Sequence, residues 1–385
     1  LETYIQPRVN KIQISGIRQF VSEMAAFPDA ISLTLGQPDF ETPKHIKEAA
    51  KKAIDDNMTV YSPNPGFPHV RRAAAVYVNS KYHLPYNEDE VIITVGASEA
   101  IDVSLRTILA EGDEVIIPAP VYPGYEPVIT MCGAHAVFVD TTETGFKLTV
   151  EMLKKHWSEK TKCVILPYPS NPTGAILQSD ELEELASFLR TKNAFVLSDE
   201  IYSELTYDAA HSSIASIDGM KEKTIVINGL SKSHSMTGWR IGLLYADKTI
   251  LQHILKVHQY NVTCANTIAQ AAAYEALTAG ADDAVLMKNE YRKRRDYCIA
   301  RLESMGIKAI APGGAFYIFA DIKDYGLPSL SFARSLLSEQ KIAVIPGSVF
   351  HATGEGYIRL SFAAALPVLE TALDRMEEFI QHLKV

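Results

Sequence analysis

The chain has 385 residues, 47% of them hydrophobic and 22% charged, with a formal net charge of -9. That length exceeds one ordinary compact core and predicts two domains, with room for a terminal arm. An acidic balance without a dominant Lys/Arg tract argues against nucleic acid as a partner, and no apolar run approaches a spanning helix or the core of a signal peptide, so a cytoplasmic protein away from membranes is expected. The four cysteines, Cys132, Cys163, Cys264 and Cys298, are far apart, and the eleven histidines include no metal-binding spacing. Free thiols and no metal site follow.

Taken in chain order, the first 44 residues read as an arm that packs on a small C-terminal domain. Residues 45–281 read as a large domain. Within it, 91–95 is an apolar strand, followed by a helix with Ala97, Ile101, Leu105, Ile108 and Leu109 on one face. Strands follow at 114–117, 136–139, 163–166, 195–197 and 224–227, with helices such as 180–191 between several of them. That alternation predicts an α/β fold with a mainly parallel sheet covered by helices. Ligands of such sheets sit beyond the carboxyl ends of the strands. After about residue 280 the pattern changes. A long charged helix at 282–305 carries Tyr291-Arg292-Lys293-Arg294-Arg295, which reads as a solvated face. Strands at 314–321, 343–345 and 357–361 and helices at 331–339 and 366–383 complete an α+β domain over 282–385.

Three strand ends carry polar residues. The first is Pro167-Tyr168-Pro169-Ser170-Asn171-Pro172-Thr173-Gly174, which alone is a tight turn. The second is Ser198-Asp199-Glu200-Ile201-Tyr202, where a carboxylate needs a partner or a helix to cap. The third is Gly229-Leu230-Ser231-Lys232, followed by Thr237-Gly238-Trp239-Arg240. If the strands are neighbours, Lys232, Asp199 and Asn171 converge in one crevice. A partly desolvated lysine amine forms a Schiff base with an aldehyde cofactor, and an acidic residue keeps a pyridine nitrogen protonated. A phosphate tail has two candidate anchors: Gly96-Ala97-Ser98, where a strand opens into a helix, and Arg240.

These motifs, together with Leu35-Gly36-Gln37-Pro38-Asp39-Phe40, Tyr61-Ser62-Pro63-Asn64-Pro65-Gly66 and Tyr357-Ile358-Arg359-Leu360-Ser361, resemble in order and spacing the fold-type I pyridoxal-phosphate (PLP) enzymes of the class I aminotransferase group. The resemblance runs over essentially the whole chain. It implies a seven-stranded large-domain sheet, PLP carried on Lys232, Asp199 against the pyridine nitrogen, and Tyr202 and Asn171 on the ring hydroxyl oxygen. It further implies Tyr122 stacked on the ring, Ala97, Ser98 and Arg240 on the phosphate, and Tyr61 reaching the phosphate of a neighbouring subunit in a homodimer with shared sites. Arg359 is implied to hold the substrate α-carboxylate, with Gly36 and Asn171 beside it. One departure stands out. Relatives often carry Ser or Thr three residues before the lysine, where this chain has Gly229, and whether Ser231 replaces that phosphate contact is open. Stretches 198–208 and 227–241 resemble the bacterial aminotransferase A group, associated with N-acetyl-L,L-diaminopimelate and 2-oxoglutarate in lysine biosynthesis. Arg18 is open between facing a second carboxylate and being a surface residue. The alternatives are a β-eliminating PLP enzyme on the same scaffold and a ligand-sensing regulator. The latter is disfavoured because only about forty residues, with no basic recognition helix, precede the large domain.

Overall fold

A computed structural model of the chain describes residues 1–383. Its main sheet has seven strands, in spatial order Val91–Thr94, Gly242–Tyr245, Thr224–Gly229, Phe195–Asp199, Thr161–Leu166, Glu114–Ala119 and His135–Asp140. All neighbours pair in parallel except Gly242–Tyr245, which runs antiparallel to both of its partners. Successive residues of each strand serve opposite faces. Ile92, Leu244, Ile225 and Leu197 pack under helix Gly96–Ile108 with Ile101 and Leu105. Val91, Ile93, Leu243 and Tyr245 face helices Pro68–Tyr82 and Thr267–Leu277. With both faces covered the strands read as continuous apolar runs. Each wholly buried Ile, Leu or Val contributes about 1.5–3 kcal/mol.

A second sheet is antiparallel, in the order Ile345–Pro346, Tyr357–Ser361, Tyr317–Asp321 and Lys308–Ala309. Arg359 lies in a central strand of it, between Phe319 and Ile345. The apolar core around this sheet also takes in Phe20 and Leu33 from the N-terminal segment. Ile31–Ser32 pairs in parallel with Ile342–Ala343, and Ser361 donates its N–H to Leu33 O at 2.8 Å. Arg8 instead reaches across to Met131 O and Glu111, next to the large sheet.

Several expectations shift. The expected strand over 343–345 is two short pieces separated by Val344, and the one over 314–321 starts at Tyr317. The four-residue strand Gly242–Tyr245 carried too little pattern to stand out beside the motif before it. The charged run on helix Ala284–Met305 is not a solvated face. Tyr291, Arg294 and Arg295 are buried. Arg294 holds both oxygens of Asp39 at 2.9 and 2.8 Å, and Arg295 pairs with Asp208 and Asp296. Guanidinium groups over Phe40 and Tyr207 bury their planes as well as their charge.

Candidate active site

A cavity of about 410 Å³ opens at the carboxyl ends of the central strands, where the large sheet meets the small one. Its lining includes Gly36, Ala97, Ser98, Tyr122, Asn171, Asp199, Tyr202, Ser231, Lys232, Arg240 and Arg359. Every site residue expected from the sequence is thus brought together, with one exception. Tyr61 does not line the cavity and is 82% exposed.

Lys232 follows the buried strand Thr224–Gly229, and its Nζ donates to Gly36 O. Nζ lies 5.7 Å from the Tyr202 ring centre and 5.9 Å from that of Phe316. Burial, reinforced by the positive charges of Arg359 and Arg240, lowers its amine to about 8, against a smaller opposing pull from Asp199. Near neutral pH such an amine exchanges its proton readily.

Asp199 closes the adjacent strand, Phe195–Asp199, and is buried. Burial pushes its carboxyl above the usual range, and the Tyr125 hydroxyl, donating to Oδ2 at 2.6 Å, works against that. Oδ1 accepts the Ile201 N–H at 3.2 Å within a turn, and because no helix follows among the described residues before Ile214–Ser216, the alternative of Asp199 as a helix cap is not met. Tyr122 meets Tyr125 edge to face at 5.5 Å. A side chain at Gly124 would lie 2.6 Å from the Tyr122 Cζ, so the bare glycine leaves room for that ring.

Arg359 is 2% exposed. Nη1 donates to Asn171 Oδ1 at 2.9 Å and Nη2 to Thr34 O at 2.7 Å, while Nε has no partner among the described residues. Its guanidinium sits 4.3 Å from the centre of the Tyr317 ring and 5.0 Å from that of Phe350. Tyr317 also shares a 2.9 Å hydrogen bond with the Tyr202 hydroxyl. The group is held in place before any carboxylate arrives.

Opposite, Gly96 opens helix Gly96–Ile108 at φ +75°, and an added Cβ would lie 2.8 Å from Arg240 Cζ. Arg240 itself takes a left-handed backbone, φ 56°, and donates to Thr237 O at 3.0 Å. A helix N-terminus under a guanidinium is an anion cup, and only glycine leaves it open. The fit to a phosphorylated aldehyde cofactor is therefore good: amine, carboxyl and anion cup surround one cavity. Gly229 is explained by packing. A Cβ there would lie 3.0 Å from Ile241 O and 3.3 Å from Gly242 Cα, which leaves a hydroxyl side chain little room beside the antiparallel strand.

Tyr125, Tyr317 and Thr34 were not expected. Tyr125 stands three residues after Tyr122 at the start of a helix, a signal legible only in retrospect. Arg18 is exposed beside the cavity mouth, where its neighbour Ile17 lines the wall and its charge lowers the Tyr122 phenol against the rise from burial.

Residues 28–376 match the family model described as aminotransferase class I and II. The chain belongs to this family. As a member it is a PLP-dependent aminotransferase with the type I fold. It is 56% identical over 381 residues to the "Probable N-acetyl-LL-diaminopimelate aminotransferase" of Bacillus subtilis, covering 99% of this chain and 96% of that one. An "Aspartate aminotransferase" of Pyrococcus abyssi is 43% identical, with 98% of each chain covered. Among solved structures, the aromatic aminotransferase of Pyrococcus horikoshii superimposes with a TM-score of 0.90 at 41% identity, covering 95% of this chain and 99% of that one. The expected transaminase activity and cofactor class hold for this aminotransferase.

Proposed function

We propose that this aminotransferase moves an amino group between an L-amino acid and 2-oxoglutarate in two alternating half-reactions, with N-acetyl-L,L-diaminopimelate as the specific partner of that couple in lysine biosynthesis. The observation that carries the chemistry is one cavity flanked by Lys232, Asp199 and Arg359. The similarity to the Bacillus subtilis relative supports the substrate. PLP supplies an aldehyde that condenses with amines and a ring that accepts the electron pair left when a Cα proton departs.

The chain's own residues do the rest. Arg359, fixed by Asn171 and Thr34, binds the substrate α-carboxylate and so orients its Cα. Lys232 Nζ, lowered to about 8, would take the proton from the substrate Cα and pass it to the cofactor, and would run the same shuttle in reverse in the second half-reaction. Asp199 would hold a proton on the pyridine nitrogen, with the Tyr125 hydrogen bond favouring its carboxylate against the upward push of burial. Asn171 uses Oδ1 on Arg359, which leaves its amide N–H and the Tyr202 hydroxyl to meet the ring hydroxyl oxygen. Tyr122 covers the ring face, and Ala97, Ser98, Ser231 and Arg240 hold the phosphate. Gly36 completes the carboxylate side of the site.

We further infer a cytoplasmic homodimer in which the exposed Tyr61 serves the partner's phosphate. Its exposure supports this, as do the four free cysteines for a reducing compartment. On this reading the N-terminal arm, large domain and small domain divide near residues 44 and 281. Mixing Tyr61- and Lys232-defective chains tests the shared site. Activity should return in hybrid dimers, and subunit exchange without recovery sinks that reading. The substrate test incubates the PLP form with single amino acids and follows conversion to the pyridoxamine form. Glutamate and N-acetyl-L,L-diaminopimelate should convert it. Release of ammonia and pyruvate without transfer to 2-oxoglutarate would assign a β-eliminating enzyme instead.

A further inference from the structure

One buried pair behind the anion cup has no part in the chemistry described so far. His258, on helix Lys248–Val262, is wholly buried. Its Nδ1 lies 2.9 Å from Glu99 Oε1 and its Nε2 lies 2.9 Å from Asn64 O. Glu99 belongs to the first turn of helix Gly96–Ile108, one residue beyond Ser98. It folds back so that Oε2 accepts the Val95 N–H.

Both imidazole nitrogens therefore face acceptors. A carbonyl oxygen never donates, so Nε2 must carry a proton toward Asn64 O. Nδ1 and Glu99 Oε1 then need one proton between them. The pair is net neutral in either arrangement, imidazolium with carboxylate or imidazole with carboxylic acid. A neutral imidazole beside an ionised Glu99 would set two acceptors face to face in a buried site, which is costly.

Charge at this point matters because of where Glu99 sits. A lone carboxylate in the first turn suits the helix but opposes a second anion at the same terminus. Asn64 also belongs to the loop that carries Tyr61, and the same loop accepts the Ile93 N–H on Pro65 O at 2.9 Å, just before the cup. We propose that His258 is a positioning residue for cofactor binding: it cancels the charge of Glu99 beneath the phosphate and pins the loop of residues 61–66 to the first turn of the helix that forms the cup. This rests on reading Gly96, Ala97, Ser98 and Arg240 as the phosphate cup.

Fluorescence titration of the apo-protein with PLP and with phosphate-free pyridoxal tests this. The ratio of the two affinities isolates phosphate recognition, whereas a general folding fault weakens both. His258→Gln keeps one donor, for Asn64 O, but removes the positive charge facing Glu99, and it should lower the ratio about tenfold, the size of one charge contact at a helix terminus. Adding Glu99→Gln should restore the ratio, because the uncompensated charge is then gone. A His258→Gln ratio equal to wild type overturns the proposal, as does a double variant as weak as His258→Gln. Should His258→Gln not fold, Glu99→Gln alone decides. An unchanged ratio supports a neutral pair, and a severalfold rise shows an uncompensated carboxylate and overturns it. A wild-type ratio near one would overturn the phosphate cup itself.

Discussion

Tyr125→Phe removes a single hydroxyl and leaves the ring that packs edge to face on Tyr122. The lost bond is the 2.6 Å donation to Asp199 Oδ2, a short contact to a buried carboxyl. A hydrogen bond to a charged group is worth about 1.5–3 kcal/mol. Asp199 is already pushed up by burial, with Tyr125 as the leading counterweight, so the variant raises it further. The proton shared with the pyridine nitrogen then moves toward Asp199, and the ring withdraws electrons less well. If the whole bond is felt in the step that removes the Cα proton, the rate falls about ten- to hundredfold. Stopped-flow conversion of the PLP form by saturating glutamate measures it, with cofactor occupancy checked first. In an Asp199→Ala background the same change should have no further effect, since the two groups act as one unit. A wild-type rate for Tyr125→Phe, or full additivity with Asp199→Ala, refutes the assigned role.

Arg359→Lys should weaken amino-acid binding by about 1.5–3 kcal/mol while PLP affinity stays the same, because an ammonium cannot hold Asn171, Thr34 and a carboxylate in one plane; equilibrium titration of both ligands checks it. Gly96→Ala should weaken cofactor binding, since its Cβ meets Arg240 at a backbone angle that disfavours a side chain; dialysis against phosphate buffer, with retained PLP measured, reads this. Apo-protein should capture PLP faster as pH rises and level off above about 8, because only the neutral Lys232 amine attacks and its proton is lost there and not near 10.5. Stopped-flow capture rates across pH test it, and a continued rise to 10.5 speaks against the lowered amine. Arg294→Ala should cost about 2–3 kcal/mol in urea unfolding, less than the full value for a buried pair because Asp39 is 23% exposed.

The strand ends were legible because apolar runs stop abruptly at polar residues, and the carboxyl edge of a parallel sheet gathers whatever follows them. Lys232, Asp199 and Asn171 were found on that ground. Arg359 depended on the family resemblance. It lies on a different sheet, and nothing local relates residue 359 to residue 171. Tyr125 and Tyr317 escaped notice because an aromatic residue at the start of a helix or strand looks like core. Arg294 and Arg295 were misplaced for the opposite reason. A basic run has the composition of a wet surface, and its carboxylate partners Asp39 and Asp208 are distant in sequence. Gly229 looked like a missing hydroxyl until the neighbouring strand filled the space where one would go.

The reversed strand Gly242–Tyr245 also bears on how the chain is made. Val91–Thr94 comes first in the main sheet, yet the only strand it pairs with among the described residues is Gly242–Tyr245. During synthesis that first strand waits, unzipped, while about 150 further residues leave the ribosome. Arg240 arrives in the same late stretch as the missing partner. The anion cup thus draws on residues near 96 and near 240, and it is complete only once both stretches of chain are present. A ribosome-stalled chain ending before Gly242 should remain blind to PLP, however well its strands Glu114–Ala119 to Thr224–Gly229 have already joined.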